Sequence, residues 1–486
     1  MESARAERFD PDRLLNQAFT RATGSRPVGG NRVRLLRNAS ENYPAWLEAI
    51  ASAQRWIHFE SYIIHSDRTG WQFAEALAAR ARDGVRVSLL YDWWGARGVT
   101  GGKFWRYLRR AGVEVRCFNP PFFDSPLGWL RRDHRKMLAV DGRTAFVTGL
   151  CVGDAWVGDP ARGIAPWRDT GIQIEGPAIV EIERAFASTW GTAGTPLSPA
   201  ELPAPAAVGR AGDVTVRVVA SFPSLASLLR FDQVVAGEAR HTLWLTDAYF
   251  VATTLYVQAL RAAAADGVDV RVLVPGATDI PGLRALSRSG YRSLLEGGIR
   301  VFEWNGPMLH AKTAVADGRW SRVGSTNLNP VSWLGNWELD VAIEDAGFAE
   351  QMEAMYLDDL QHATEVVLSR HQRVQSIAPA PREERGRRPP RRIARATAGA
   401  IGIGSAISAA TARRRPLGPA EAKVLGSAGL LLLVLVVAAL VWPHLVIIPL
   451  SVIGGWFGIA LLVMAWRLHR GAAVDADTPE PPSDTP

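Results

Sequence analysis

Two stretches of the chain repeat one arrangement of reactive side chains: His134, Lys136 and Asp141 in HRKMLAVD, and His310, Lys312 and Asp317 in HAKTAVAD. The sequence holds only four lysines against 51 arginines, and two of those four stand two positions after a histidine. A neutral imidazole can attack an electrophile or carry a proton near pH 7, and on a strand a lysine at i+2 projects from the same face. An imidazole with an ammonium beside it suits an anion, above all a phosphate, and two copies imply one composite site. Zinc is the rival use of paired histidines. A fixed ammonium beside each would repel the metal, and no cysteine or third histidine stands at ligand spacing, so no metal site is assigned.

The elements that position these residues are also duplicated. Around the first copy, RWIHFESYIIHSDRTGWQFAEALAARARDGVRVSLLYD reads as a buried strand, a loop, an amphipathic helix and a second strand. HTLWLTDAYFVATTLYVQALRAAAADGVDVRVLVPG repeats that order, with Tyr249 answering Tyr62, and Gly267 answering Gly84 at a helix end. AGVEVRCF and GGIRVFEW are matching strands that lead into the motifs. The tyrosines are 187 residues apart and the histidines 176, so the first half carries the longer insertion, around NPPFFDSPLGWLRRD. Strands alternating with helices predict a helix-covered sheet in each half.

The partition that follows is a polar N-terminal segment (1–31), a first half (32–194), a Pro/Ala linker (195–213), a second half (214–375), a basic proline-broken linker (376–423), an apolar run (424–466) and an acidic tail (467–486). Two cysteines, Cys117 and Cys151, make no disulfide framework, and the polar opening residues do not read as an export signal. The formal charge of +7 favours an anionic partner, nucleic acid or acidic lipid. The run from Val424 to Trp466 contains no Asp, Glu, Lys or Arg, long enough for two crossings with a turn at Pro443 and His444. Basic residues on both flanks predict a transmembrane helical hairpin with both ends, and the two halves, on the cytoplasmic side of the inner membrane. The basic linker is expected to lie in solvent or against anionic headgroups.

HRKMLAVDGRTAFVTGL, WRDTGIQIEGPAIVEIERAFASTW, MLHAKTAVADGRWSRVGSTNLNPVSW and NWELDVAI together resemble the phospholipase D superfamily, most closely its bacterial cardiolipin synthase branch, over roughly residues 30 to 365. The resemblance implies two similar α/β sandwich halves in a pseudo-twofold arrangement, with both motifs at their interface and no metal or other cofactor. It implies that one histidine attacks phosphorus to give a phosphohistidine while the other protonates the leaving alcohol and later deprotonates the incoming one. His134 is assigned as nucleophile and His310 as acid and base, the reverse remaining open. Lys136 and Lys312 would hold non-bridging oxygens, with Asn327 and Ser325 as added substrate-binding donors. Asp169, 35 residues after His134, and Glu338, 28 after His310, are the candidate carboxylates for the histidines' other nitrogens. Asp141 and Asp317 belong to the catalytic motif but are expected to fix local turns.

The halves differ in one respect. Gly324, Ser325, Thr326 and Asn327 follow the family's pattern after the second motif, whereas the first reads Thr148, Gly149, Leu150 and Cys151, with a thiol in place of the amide. The reading that results is phosphatidyl transfer between two phosphatidylglycerol molecules at a membrane, forming cardiolipin and releasing glycerol. Phospholipase D hydrolysis to phosphatidic acid shares every catalytic residue and is the alternative. A nucleic-acid phosphodiesterase is less favoured, because no aromatic and basic alternation marks a strand-binding groove and no nucleic acid partner is expected. A non-catalytic membrane scaffold, prompted by Cys151, conflicts with intact His and Lys in both halves.

Overall fold

The computed structural model describes residues 11–121, 130–223, 225–280, 282–368 and 374–376, together with scattered helical positions between 430 and 462. The chain divides into two compact units, Met1–Phe118 with Arg131–Ser405, and Asn119–Leu130 with Ala406–Pro486. Both motifs lie in the former. Most of the insertion, the basic linker, the acidic tail and much of the proposed hairpin at 424–466 lie outside the described residues. Among the described residues no helix is long and apolar enough to cross a membrane.

The first half runs α1 (Pro11–Thr23), β1 (Val28–Arg37), α2 (Asn38–Ser52), β2 (Trp56–Ser61), α3 (Arg68–Arg82), β3 (Arg86–Asp92), α4 (Trp93–Ala96), α5 (Gly102–Arg110), β4 (Glu114–Phe118), β5 (Arg132–Asp133), β6 (Lys136–Val140), β7 (Thr144–Thr148), α6 (Asp154–Val157), β8 (Thr170–Glu175) and α7 (Ile179–Thr192). The second runs β9 (Val214–Ser221), α8 (Ser227–Glu238), β10 (Thr242–Thr246), α9 (Thr254–Ala265), β11 (Asp269–Pro275), α10 (Leu283–Leu295), β12 (Arg300–Trp304), β13 (Thr313–Ala316), β14 (Trp320–Gly324), α11 (Pro330–Leu334), β15 (Asn336–Glu344), α12 (Ala346–Gln361), β16 (Ala363–Leu368) and β17 (Val374–Ser376).

The two sheets have the same order and strand sense. In the first, β4, β3 and β2 are parallel and continue antiparallel through β6, β7, β8 and β1. In the second, β12, β11 and β10 are parallel and continue through β13, β14, β15 and β9. β1 also pairs with β9, so one strand belongs to both sheets. The facing sides of the sheets, with α7 and α12, form one buried core that includes Ile172, Ile182, Phe186, Leu339, Val341 and Met352. Separate outer cores lie under α2, α3 and α5 and under α8, α9 and α10. Strands covered on both faces explain why β2 is buried throughout and reads as a run without clean alternation. Gly84 and Gly267 follow α3 and α9 with φ of 89° and 93°, the left-handed conformation that lets each helix stop and the next strand begin.

The motif aspartates belong to this scaffold. Asp141 accepts hydrogen bonds from the backbone N–H groups of Gln54, Arg55 and Trp56 at 2.8–2.9 Å, pinning the β6–β7 turn to the start of β2. Asp317 does the same for Arg240, His241 and Thr242 at 2.7–2.9 Å. Both have positive φ, 57° and 52°, which Asp tolerates better than most residues. Each lies at the strand end away from its histidine, seven residues on, about 23 Å along an extended chain. Their carboxylates bond the turn and not the histidines. Asp141→Asn or Asp317→Asn is expected to lower stability by about 1–3 kcal/mol by weakening charge-assisted bonds to three amides. Turnover of the folded fraction should stay within about twofold, as for a site distant from the chemistry. Denaturant titration beside kcat checks this; a lost kcat with undiminished stability would return the aspartates to the chemistry.

Candidate active site

His134 sits between β5 and β6, where β5 pairs in parallel with the start of β15, Asp133 opposite Trp337. Its N–H donates to the Trp337 carbonyl at 2.9 Å. The second motif is fastened in mirror fashion: the His310 N–H donates to the Arg168 carbonyl at 2.7 Å, and the Arg168 N–H to the Met308 carbonyl at 2.9 Å. Trp337 and Arg168 immediately precede Glu338 and Asp169, so each histidine is tied by its backbone to the strand that brings the other half's acid.

The side chains follow the same crossing. His134 Nδ1 lies 3.0 and 3.1 Å from the two Glu338 oxygens, and His310 Nδ1 lies 2.7 Å from Asp169 Oδ2. The sequence spacing set each acid beside the histidine of its own half; the structure exchanges them. With Nδ1–H donated to a carboxylate, each imidazole keeps Nε2 for chemistry.

Both histidines are almost fully buried, at 7% and 5% exposure. Burial lowers each pKa to about 4, Glu338 and Asp169 pulling the other way and the nearby lysines adding to the fall. Both imidazoles are thus neutral at pH 7. Burial also pushes Asp169 and Glu338 upward, but the facing histidine and lysine outweigh it and hold both carboxyls below their ordinary values. Lys312 falls to about 8, chiefly through burial, with Lys136 lowering it further against Asp169 and Asp247. The Lys136 and Lys312 ammonium groups each bond the carbonyl of their own histidine, and Lys312 Nζ stands 3.0 Å from His310 Nδ1.

Ser325 was expected at the substrate. Its hydroxyl instead donates to Glu338 Oε2 at 2.6 Å and accepts the Leu339 N–H at 2.9 Å, fully buried, so it orients the acid. Asn327 is buried on the same turn, and its amide oxygen has no hydrogen-bond partner among the described residues. Cys151 is buried too; its carbonyl accepts the Tyr43 hydroxyl at 2.6 Å, and burial raises the thiol pKa against the pull of Lys136. Gly149, two residues earlier, is required by close approach: a Cβ there would lie 2.2 Å from Asp169 Oδ1.

Sequence reasoning missed several supporting residues. Asn336 donates to Glu338 Oε1 at 3.1 Å, and Trp156 Nε1 donates at 2.9 Å to Asp169 Oδ2, the oxygen that receives His310. The Trp156 and Trp167 rings stand 5.4 and 5.8 Å from the His310 ring. Tyr62 and Tyr249, noted only as corresponding positions, lie against His134 and His310 at 4.8 and 5.7 Å, with Lys136 and Lys312 near their faces at 5.2 and 5.8 Å. Two buried arginines rivet the halves. Arg135 reaches the Ala185 carbonyl and Thr189 on α7 and the Glu338 and Ser221 carbonyls of the second half, and Arg168 makes a bidentate pair with Asp359 at 2.8 Å. The duplicated tyrosines were a usable signal; a lone loop tryptophan and the residue between His and Lys gave none.

Two neutral imidazoles backed by ionised carboxylates, with two ammonium groups, suit in-line displacement at a phosphodiester. Trp156→Phe keeps a ring beside His310 and removes one donor from Asp169. Turnover of a phosphodiester should fall about tenfold, the weight of one hydrogen bond to a charged group. Freed of that donor, Asp169 holds the imidazolium more strongly, so the ionisation of His310 in the pH–rate profile should move upward. An unchanged profile would make Trp156 a packing residue only.

The family described as cardiolipin synthase, PLD-like domain, matches residues 46–152 and 235–360, which contain both motifs and Glu338. Cardiolipin synthase A of Pseudomonas fluorescens (strain SBW25) is 34% identical over 349 residues, spanning 70% of this chain and 70% of that protein. The cardiolipin synthase of Alkalihalophilus pseudofirmus is 31% identical over 356 residues, spanning 71% and 69%. Among solved structures, the phosphatidylserine synthase of Haemophilus influenzae Rd KW20 superposes with a TM-score of 0.58 at 15% identity, covering 72% of this chain and 92% of that one, a likeness of fold. By sequence match along both halves, the chain belongs to the cardiolipin synthase branch of the phospholipase D superfamily and is a phospholipid phosphatidyltransferase.

Proposed function

We propose that the protein transfers a phosphatidyl group from one phosphatidylglycerol to another, forming cardiolipin and releasing glycerol. The observation that carries this reading is the crossed pair of neutral histidines, His134 on Glu338 and His310 on Asp169, with Lys136 and Lys312 beside them. His134 Nε2 attacks phosphorus and the P–O bond to glycerol breaks, the glycerol oxygen taking a proton from His310 Nε2. His310 then removes the proton from the hydroxyl of a second phosphatidylglycerol; that oxygen attacks phosphorus and the P–N bond breaks. The lysines offset charge on the non-bridging oxygens. His134 suits the covalent role because Glu338 meets it with both oxygens and is itself held by Ser325 and Asn336. Burial of both imidazoles limits water, which favours a lipid alcohol as acceptor.

The run at 424–466 is proposed as a membrane hairpin that brings the enzyme to its substrate. Its described positions are helical, and Leu430, Leu433, Val434 and Val437 among them are exposed.

The enzyme in membranes, given labelled phosphatidylglycerol, is expected to yield cardiolipin and glycerol, and His134→Ala and His310→Ala to yield neither. Phosphatidic acid as the sole product would establish hydrolysis instead. In the free enzyme both histidines are neutral, so the general acid must gain its proton with the anionic substrate. Calorimetry of short-chain phosphatidylglycerol binding to His134→Ala at pH 7, in buffers of different ionisation enthalpy, should show uptake of about one proton. Uptake should vanish when His310→Ala is added; heats independent of buffer would sink this account of the acid.

A further inference from the structure

On the outer side of the first half, α3 and α5 border a groove of about 240 Å³ lined by Arg82, Lys103, Arg106, Tyr107, Arg110 and Ala111. Four of the six are cations and none is an acid. The inner face of α5, Phe104, Trp105 and Leu108, is buried with Phe73 and Leu77 of α3 in the outer core, which leaves Lys103, Arg106 and Arg110 as an exposed stripe spanning about 10 Å. Arg82 joins them from the end of α3, its guanidinium 5.7 Å from the Tyr107 ring centre.

The four cations lie together with no counter-charge among the described residues. Many exposed arginines elsewhere in the chain are paired: Arg32 with Glu175, Arg86 with Glu201, Arg184 with Glu181, Arg210 with Asp213 and Arg300 with Glu365. Among the described residues Arg82, Lys103, Arg106 and Arg110 have no ion pair. Like charges at i, i+3 and i+7 repel along one helix face, and α5 has no acid in its first turn to offset Lys103 there. Among the described residues no acid relieves that repulsion, whereas a phosphate would. Guanidinium forks match its oxygens, and the Tyr107 ring offers an apolar wall for the carbons that carry it.

We propose that the α3–α5 groove binds the phosphate-bearing headgroup of an anionic phospholipid and docks the first half on a bilayer, apart from the catalytic centre. The phosphate chemistry stands on the groove alone; the choice of a lipid as its source rests on the proposed function.

The test is chemical footprinting of the full-length protein reconstituted in nanodiscs, with an arginine-selective dicarbonyl and a lysine acylating reagent read out by mass spectrometry. In phosphatidylglycerol nanodiscs, modification of Arg82, Lys103, Arg106 and Arg110 should fall at least several-fold relative to phosphatidylcholine nanodiscs, and equally in His134→Ala, which separates binding from turnover. In Arg106→Gln/Arg110→Gln, Lys103 should lose that protection; a lysine shielded only by a nearby bilayer would keep it. Equal modification in both lipids overturns the proposal, as does Lys103 protection that survives the double substitution. Protection by inorganic phosphate in phosphatidylcholine nanodiscs to the same extent overturns the lipid assignment. Loss of cardiolipin formation with protection intact would instead count against the proposed function.

Discussion

Each catalytic imidazole is completed from the far half of the chain. His134 depends on Glu338 and His310 on Asp169, and the backbone bonds from His134 to Trp337 and from His310 to Arg168 fix the same exchange one atom layer deeper. Neither half alone can set the tautomer of its own histidine. The crossing is therefore a constraint on the whole fold: the inner faces of both sheets must meet closely enough to bring four strand ends into hydrogen-bond register. One shared strand, β1, and one common core built with α7 and α12 meet that demand better than two domains on a flexible linker.

The cost of this arrangement is the burial of charge. Two carboxylates, two ammonium groups and the arginines Arg135 and Arg168 all sit in the interior. Removing such groups from water is unfavourable unless every charge finds partners. Here the partners are mostly local dipoles and groups from the opposite half: Arg135 spends its donors on carbonyls and Thr189, Arg168 on Asp359 and Thr170. The same interior makes the site effective. Donors and ammonium groups fixed in a medium of low polarity need little reorganisation when charge develops at phosphorus. Stability of the interface and electrostatic preparation for chemistry thus come from one set of contacts.

How much of this was legible follows from what kind of information each feature carries. Local patterns were readable: strand and helix order in both halves, Gly84 and Gly267 as helix terminators, and His-x-Lys on a strand, because these depend on neighbours within a few residues. The crossing was not, since a spacing of 35 or 28 residues says only that an acid is available and nothing about which sheet edge it faces. Ser325 reads as a phosphate donor in a loop after the motif, yet in space it lies behind Glu338. Asp141 and Asp317 look catalytic because they recur with the histidines; seven residues further along the chain they lie at the opposite rim, bonded to the chain that begins the neighbouring strand. Trp156 is invisible to any pattern because it acts through Asp169 and not through its own chemistry.

The duplication is imperfect in a way that fits two different tasks. Glu338 is gripped by Ser325 and Asn336, both from its own half, and faces His134 with both oxygens. Asp169 meets His310 with one oxygen, shared with the Trp156 indole, inside a wall of aromatic rings. On the proposed mechanism a covalent phosphohistidine needs its ring held still while positive charge persists on it, which favours the doubly bonded, fully supported carboxylate. A proton carrier needs a site whose affinity for the proton is easily changed by substrate charge. A single short bond, with the Lys312 ammonium 3.0 Å from the same ring nitrogen, is such a site, since an arriving phosphate offsets the charge that disfavours the imidazolium. Cys151 falls in the half that supplies Asp169, where Gly149 already packs against the acid and Tyr43 anchors the Cys151 carbonyl. On the proposed mechanism the missing amide removes one donor from the first half only, and the turn carrying Asn327 remains beside Glu338.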